Sequence, residues 1–336
     1  MRRSTLGRTA VEVTELSFGA AAIGNLFRAV DPEQAALAVD AAWEEGVRHF
    51  DTAPHYGLGL SERRLGAALR SRPRASYTLS TKVGRILDPL PGGNPEQGGL
   101  DDGFAVPVTH RRRWDFSADG VRRSLEDSLR RLGLDRVDVV YLHDPDDHAE
   151  AAFGEAYPEL ERLRGEGVVG AIGAGMNRTA MLTRFLRDTD VDVVLCAGRH
   201  TLLDGSALDA LLPEAEARGR SVVVGGVFNS GLLADPRPEA PYDYATAPAA
   251  LVERALRMKA VTEAYGVPLR AAALHHSLAH PAVATVLVGT RSPAEVRDTA
   301  ALLRTPPPPA LWEELRAAGL LPAPGAPAGS RTPEER

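Results

Sequence analysis

Short apolar runs alternate with longer amphipathic stretches along most of the 336-residue chain, and no other feature constrains its fold as strongly. The runs are Glu15–Ala20, Val47–Thr52, Tyr77–Lys82, Val137–His143, Val168–Ala174, Val191–Ala197, Ser221–Val227 and Ala284–Val288. Each is rich in β-branched and aliphatic residues, and a helical segment can follow each. Eight such units predict an α/β chain closed into a (β/α)8 TIM barrel. VDVVYL, VDVVLCA and SVVVGGV are apolar at nearly every position. That suits parallel strands covered by helices outside and packed side chains inside, whereas an exposed antiparallel sheet would alternate. A doubly wound dinucleotide-binding sheet would need G-x-G-x-x-G after an early strand. Gly57-Leu58-Gly59 and Gly173-Ala174-Gly175 both lack the third glycine.

Helix punctuation agrees. Asp31-Pro32-Glu33 supplies an N-cap, an N1 proline and an acidic first turn before Ala35–Glu45, with Gly46 as the stop. Ser117–Arg131 repeats the pattern, ending at Gly133. Residues 1–336 are therefore expected to form a single barrel domain. An N-terminal hairpin over residues 1–14 turns at Gly7 and is placed to plug the barrel floor. A C-terminal extra helix and tail begins at Pro306, and residues 322–336 are expected to be disordered. Residues 85–115 form a connection of about 30 residues, far longer than the 2–6 usual between strand and helix, which marks it as a functional loop over the active site.

Composition narrows the function. Lys plus Arg number 39 against 45 Asp plus Glu, a net charge of −6 that argues against nucleic-acid and acidic-membrane partners. No apolar run approaches the roughly 20 residues of a membrane span. Cys196 is the sole cysteine and cannot close an intrachain disulfide, so a reducing, cytoplasmic setting is expected. Monomer and homo-oligomer both remain open.

Active sites of such barrels lie at the C-terminal ends of the strands. Asp51 ends the second run, Tyr56 follows in the next loop, Lys82 ends the third and His143 ends the fourth. A phenol is a poor acid or base at neutral pH unless a cation stabilises its phenolate, and Lys82 is placed to do so. Asp51 supplies the counter-charge that a desolvated lysine needs. His143 can donate to a substrate oxygen beside the phenol. Taken singly, Asp51 also reads as a turn cap, Tyr56 as a surface aromatic and His143 as a structural histidine. His143-Asp144-Pro145-Asp146-Asp147-His148 has the residue types of a metal site, but its spacing across a proline loop argues for no metal. His275, His276 and His280 read as packed or solvated residues of a helix. Arg111-Arg112-Arg113-Trp114 reads either as a solvated face or as a segment bringing Trp114 over the pocket.

FDTAPHYG, SERRLGAAL, STKVGR and VDVVYLHD together resemble the aldo-keto reductase superfamily. The resemblance continues through VVGAIGAGMN, VFNSGLLA and HPAVATVLVGTRSPAEV. SADGVRRSLEDSLRRLGLDRVDVVYLHDPDDH and CAGRHTLLD resemble its bacterial NAD-linked branch of L-fucose, D-threo-aldose and pyridoxal dehydrogenases. The resemblance implies an enzyme that transfers hydride between a nicotinamide dinucleotide and a carbonyl or alcohol carbon of a small molecule. It makes Tyr56 the general acid or base, Lys82 and Asp51 its tuning pair, and His143 the residue orienting the substrate oxygen. His55 and Trp114 become substrate contacts. Asn177, Gly231, Leu232, Gly289, Thr290, Arg291, Glu295 and Asp298 become cofactor contacts, with Asn177 on the carboxamide. Gly225 stands where relatives carry a stacking tyrosine, and Phe228 is a candidate substitute. Glu295, set against a 2′-phosphate, favours NAD over NADP. Oxidation of an aldose-like sugar is the expected activity; reduction of a natural-product ketone or aldehyde and a regulatory role without turnover are the alternatives.

Overall fold

The computed structural model describes residues 1–91, 100–243 and 245–322. Among the described residues fourteen strands are formed. An N-terminal hairpin pairs β1 (Arg3–Thr5) with β2 (Glu12–Thr14). Eight parallel strands close the barrel: β3 (Leu16–Gly19), β4 (His49–Asp51), β5 (Thr78–Val83), β8 (Val139–His143), β9 (Ala171–Met176), β10 (Val193–Ala197), β11 (Ser221–Gly225) and β14 (Val283–Gly289). Between β5 and β8 an antiparallel ribbon joins β6 (Arg85–Pro89) to β7 (His110–Trp114). A short hairpin pairs β12 (Pro241–Tyr242) with β13 (Ala245–Thr246).

The expected (β/α)8 barrel is the fold. Leu6 and Val13 of the hairpin pack with the inward-facing Val139, Tyr141, Val193 and Val223, which places the hairpin at the barrel's N-terminal end. Gly7 bonds through its N–H to Ser221 Oγ at 2.8 Å, and its φ of +55° with Asp192 O only 2.5 Å from a would-be Cβ demands glycine. A second, larger layer of buried side chains lies between the strands and the surrounding helices.

The helix Pro32–Glu44 starts where Asp31 accepts from the N–H groups of Glu33 and Gln34. Ala118–Leu132 is capped by Ser117, which accepts from Gly120 N, and by Gly133 in the left-handed region. Two expectations are corrected. The fifth barrel strand begins at Ala171 rather than Val168, because Gly167 turns at φ +73° and Val168 N returns to Leu163 O at 2.9 Å, closing the preceding helix. The 85–115 connection is not loop throughout, since β6 and β7 fill its two arms; residues 92–99 lie outside the described residues. The tail expected over 322–336 falls outside them from residue 323 onward. The extra C-terminal helix is Pro309–Ala317.

Candidate active site

β4 and β5 are neighbours in the barrel, with Asp51 opposite Ser80, so Lys82 emerges one residue pair further toward the mouth. The register places its ammonium against Asp51 Oδ2 at 2.5 Å, with both side chains almost fully buried. Lys82 Nζ also donates to Thr52 O at 3.0 Å and hydrogen-bonds Tyr56. It stands 4.6 Å from the centre of the Tyr56 ring. Burial works against the lysine charge, but Asp51 and Tyr56 outweigh it and push its pKa up to about 12.

Behind this pair runs a polar chain that has no counterpart in the sequence reading. Ser80 Oγ donates to Asp51 Oδ1 at 2.7 Å and lies 3.2 Å from His49 Nε2. His49 Nδ1 meets Ser17 Oγ at 2.8 Å, and Ser17 meets Thr285 at 2.6 Å. Burial and the Lys82 charge push His49 down to about 3, so it is a neutral link that orients Ser80 toward Asp51. His49 alternates with the apolar strand positions and carries no sequence signal of this role.

His143 sits at the end of β8, its ring centre 5.8 Å from Tyr56 at 88°. Burial, then Arg85, Lys82 and His55, hold it well below the usual histidine range, so it is neutral. Asp144, next in sequence at φ +44°, ion-pairs Arg85 of β6. Arg85 is a residue the sequence reading passed over, although it lies three positions beyond Lys82 in STKVGR.

A cavity of about 670 Å³ opens at this end of the barrel. Tyr56, Lys82, His143, His55, Trp114 and Asn177 all line it, so the structure brings these sequence-selected residues together. Trp114 stacks on Phe116 at 5.9 Å, with the Arg85 guanidinium 4.2 Å from its ring centre. His148 packs against Trp114 and Phe116 rather than joining His143. No group of three or more His, Cys, Asp or Glu placed to hold a metal occurs among the described residues.

The remaining cofactor candidates lie apart from the cavity lining. Leu232 is fully buried in a satellite core with Leu202, Leu233 and Met258. Gly231, half-buried, borders Ser230 of the lining. Phe228, partly buried, packs between the two cores and is not part of the cavity lining. Gly289 ends β14, and the helix Pro293–Arg304 starts just beyond it. Ser292 Oγ accepts from Glu295 N at 3.2 Å while Glu295 Oε2 accepts from Arg291 N at 2.7 Å, a reciprocal cap. Asp298 pairs with Arg270.

This helix N-terminus suits a dinucleotide's phosphates. Among the described residues, Thr290 Oγ1 and Arg291 Nε are buried there without a hydrogen-bond partner. Unpaired buried donors beside a helix N-terminus favour an anion. Gly198 and Gly226 of the lining hold left-handed backbone, and Gly225 beside them leaves only ordinary contact distance around a would-be Cβ. The residues present therefore fit a nicotinamide dinucleotide.

Comparison with known proteins identifies the family. The aldo/keto reductase family matches residues 15–319. The chain belongs to the aldo/keto reductase family. A D-threo-aldose 1-dehydrogenase from Pseudomonas sp. is 44% identical over 315 residues, covering 93% of this chain and 96% of that protein. A pyridoxal 4-dehydrogenase from Microbacterium luteolum is 38% identical over 339 residues, covering 95% and 98%. The holo form of an aldo-keto reductase from Bacillus halodurans superposes with a TM-score of 0.73 at 28% identity, covering 95% and 96%. This aldo/keto reductase is thus an oxidoreductase, of a family that uses nicotinamide cofactors. Among its described residues no helix is long and apolar enough to cross a membrane.

Proposed function

We propose that this aldo/keto reductase oxidises an aldose-like sugar with NAD, at its anomeric hydroxyl or a secondary alcohol. The observation that carries the proposal is the buried Asp51–Lys82 pair in contact with Tyr56 beside a neutral His143, in a chain 44% identical to a D-threo-aldose 1-dehydrogenase. The bound nicotinamide supplies the hydride acceptor. Tyr56 takes the hydroxyl proton, and the Lys82 cation stabilises the phenolate form that accepts it. His143, neutral, hydrogen-bonds the same substrate oxygen and orients it. Trp114, exposed at the rim, offers apolar surface beside a sugar ring.

On the cofactor, Asn177 holds the carboxamide, while Gly289, Thr290 and Arg291 with the following helix N-terminus hold the phosphates. The Glu295 carboxylate disfavours a 2′-phosphate, which supports NAD over NADP. Gly231 borders the lining at Ser230, and Asp298 is paired with Arg270.

Formation of NADH, followed by absorbance with L-fucose and a panel of other aldoses, tests the reading. Pyridoxal serves as comparator, since the 38% identity to a pyridoxal 4-dehydrogenase favours it as a second substrate class. The expected result is turnover highest with an aldose. Higher kcat/KM with pyridoxal, or turnover only as reduction of ketones and aldehydes, overturns the aldose reading.

A further inference from the structure

Arg112, on β7, reaches from the ribbon to His55, which lines the cavity. Its Nη1 pairs with Asp101, and its Nη2 lies 3.4 Å from Asp101 O and 3.5 Å from His55 O. Its Nε donates to His55 Nδ1 at 2.8 Å. A guanidinium has no acceptor and does not deprotonate. His55 Nδ1 is therefore the lone-pair nitrogen, and the one ring proton sits on Nε2. Burial, then the charges of Arg85, Arg112 and Lys82, push His55 down to about 2 and keep the ring neutral. The ring is wedged edge-on against Phe104, with its centre 5.6 Å from His143 and 6.0 Å from Tyr56. It lines the cavity, and among the described residues no acceptor bonds its Nε2.

We propose that Arg112 is a positioning residue that fixes His55 as the Nε2–H tautomer, so that His55 donates a hydrogen bond to a second substrate oxygen, adjacent to the reacting one. The proposal rests on the cavity being the site of hydride transfer. It narrows the substrate class to molecules with vicinal oxygens, such as hydroxyaldehydes and cyclic sugars. A simple alcohol or aldehyde without that oxygen gains nothing from His55.

The test combines NMR and kinetics on the full-length protein labelled with 15N-histidine. In the wild type, His55 is expected to show an unprotonated Nδ1 and a protonated Nε2 between pH 6 and 9. Arg112→Met should mix the two tautomers and raise KM for the best vicinal substrate about tenfold, with kcat changed less. Arg112→Lys, which can also donate to Nδ1, should restore the single tautomer and most of the KM. With a substrate lacking the second oxygen, Arg112→Met and wild type should agree within about twofold. A wild-type spectrum with the proton on Nδ1 overturns the proposal, whatever the variants' stability. A tautomer change in Arg112→Met without a KM change specific to vicinal substrates overturns it equally. The tautomer is read without turnover, so a cavity that proves not to transfer hydride leaves the NMR result standing and fails only the functional reading.

Discussion

Lys82→Met strikes the site where burial makes the consequence largest, because Lys82 is 2% exposed and Asp51 1%. The three ammonium protons are matched by three partners: Asp51 Oδ2, Thr52 O and Tyr56. Methionine fills the stem volume but leaves the Asp51 carboxylate with Ser80 as its one side-chain partner among the described residues. Removing one member of a buried ion pair costs about 3–5 kcal/mol, a large share of a total stability of about 5–15 kcal/mol. Lys82→Met/Asp51→Asn removes both charges and keeps an acceptor for Ser80, so it should recover about 2 kcal/mol or more of the loss. Urea unfolding at pH 7 measures both. Both variants should turn over the best aldose about 10²–10⁴-fold more slowly, and in Lys82→Met the pH dependence of the remaining activity should move upward once the phenolate has lost its cation. In the wild type, Lys82 is held protonated above its ordinary value of 10.5, so its stabilising contribution is constant below that pH and is lost as pH rises through about 12. Lys82→Met should lack that alkaline step. A single variant as stable as wild type, or a double variant no more stable than the single, refutes the buried-pair account. An active Lys82→Met enzyme with an unchanged pH profile refutes the tuning of Tyr56.

Tyr56→Phe should bind cofactor about as wild type, by fluorescence titration, while single-turnover hydride transfer falls about 10²–10⁴-fold; near-normal turnover would assign the proton transfer elsewhere. Glu295→Gln keeps the reciprocal cap while removing the charge, so the ratio of kcat/KM for NAD over NADP should fall about tenfold or more, and a wild-type preference for NADP contradicts the role given to Glu295. Burial, with His276 and His280 close by, pushes His200 down to about 3, against an ordinary 6.5. The unfolded chain therefore takes up the extra proton as pH falls from 6.5 toward 4, and stability drops over that window by up to about 1.4 kcal/mol per pH unit for this residue. His200→Phe, which keeps a planar ring, should shallow the stability–pH slope by that amount in urea titrations at pH 4–6.5, and an unaltered slope would mean His200 is not held neutral.

The barrel is visible in the sequence because parallel strands buried on both faces cannot alternate, and runs such as VDVVYL leave no exposed strand face to fill. The Asp51–Lys82 pair is visible for a related reason: an ionisable residue at the end of an apolar strand needs a partner, and adjacency of β4 and β5 makes the two partners. The ribbon is not visible, because HRRRW carries no hydrophobic alternation. Its order comes from cross-strand charges, with Arg113 Nε 2.7 Å from Oδ2 of Asp88, which lies diagonally across the ribbon opposite Arg111. Arg112 and His55 lie 57 residues apart, on two segments that meet only when the ribbon folds over the mouth, so nothing local to either residue announces the contact. Glu295 shows the converse limit. Its charge and place after β14 are plain in the sequence, but its capping bond to Arg291 N is not, and that bond determines which substitution isolates the charge. Strand-end chemistry can thus be read from the chain one residue at a time. The orientation of the cavity walls depends on pairings between distant segments, and it is those pairings that set which substrate oxygens the site can meet.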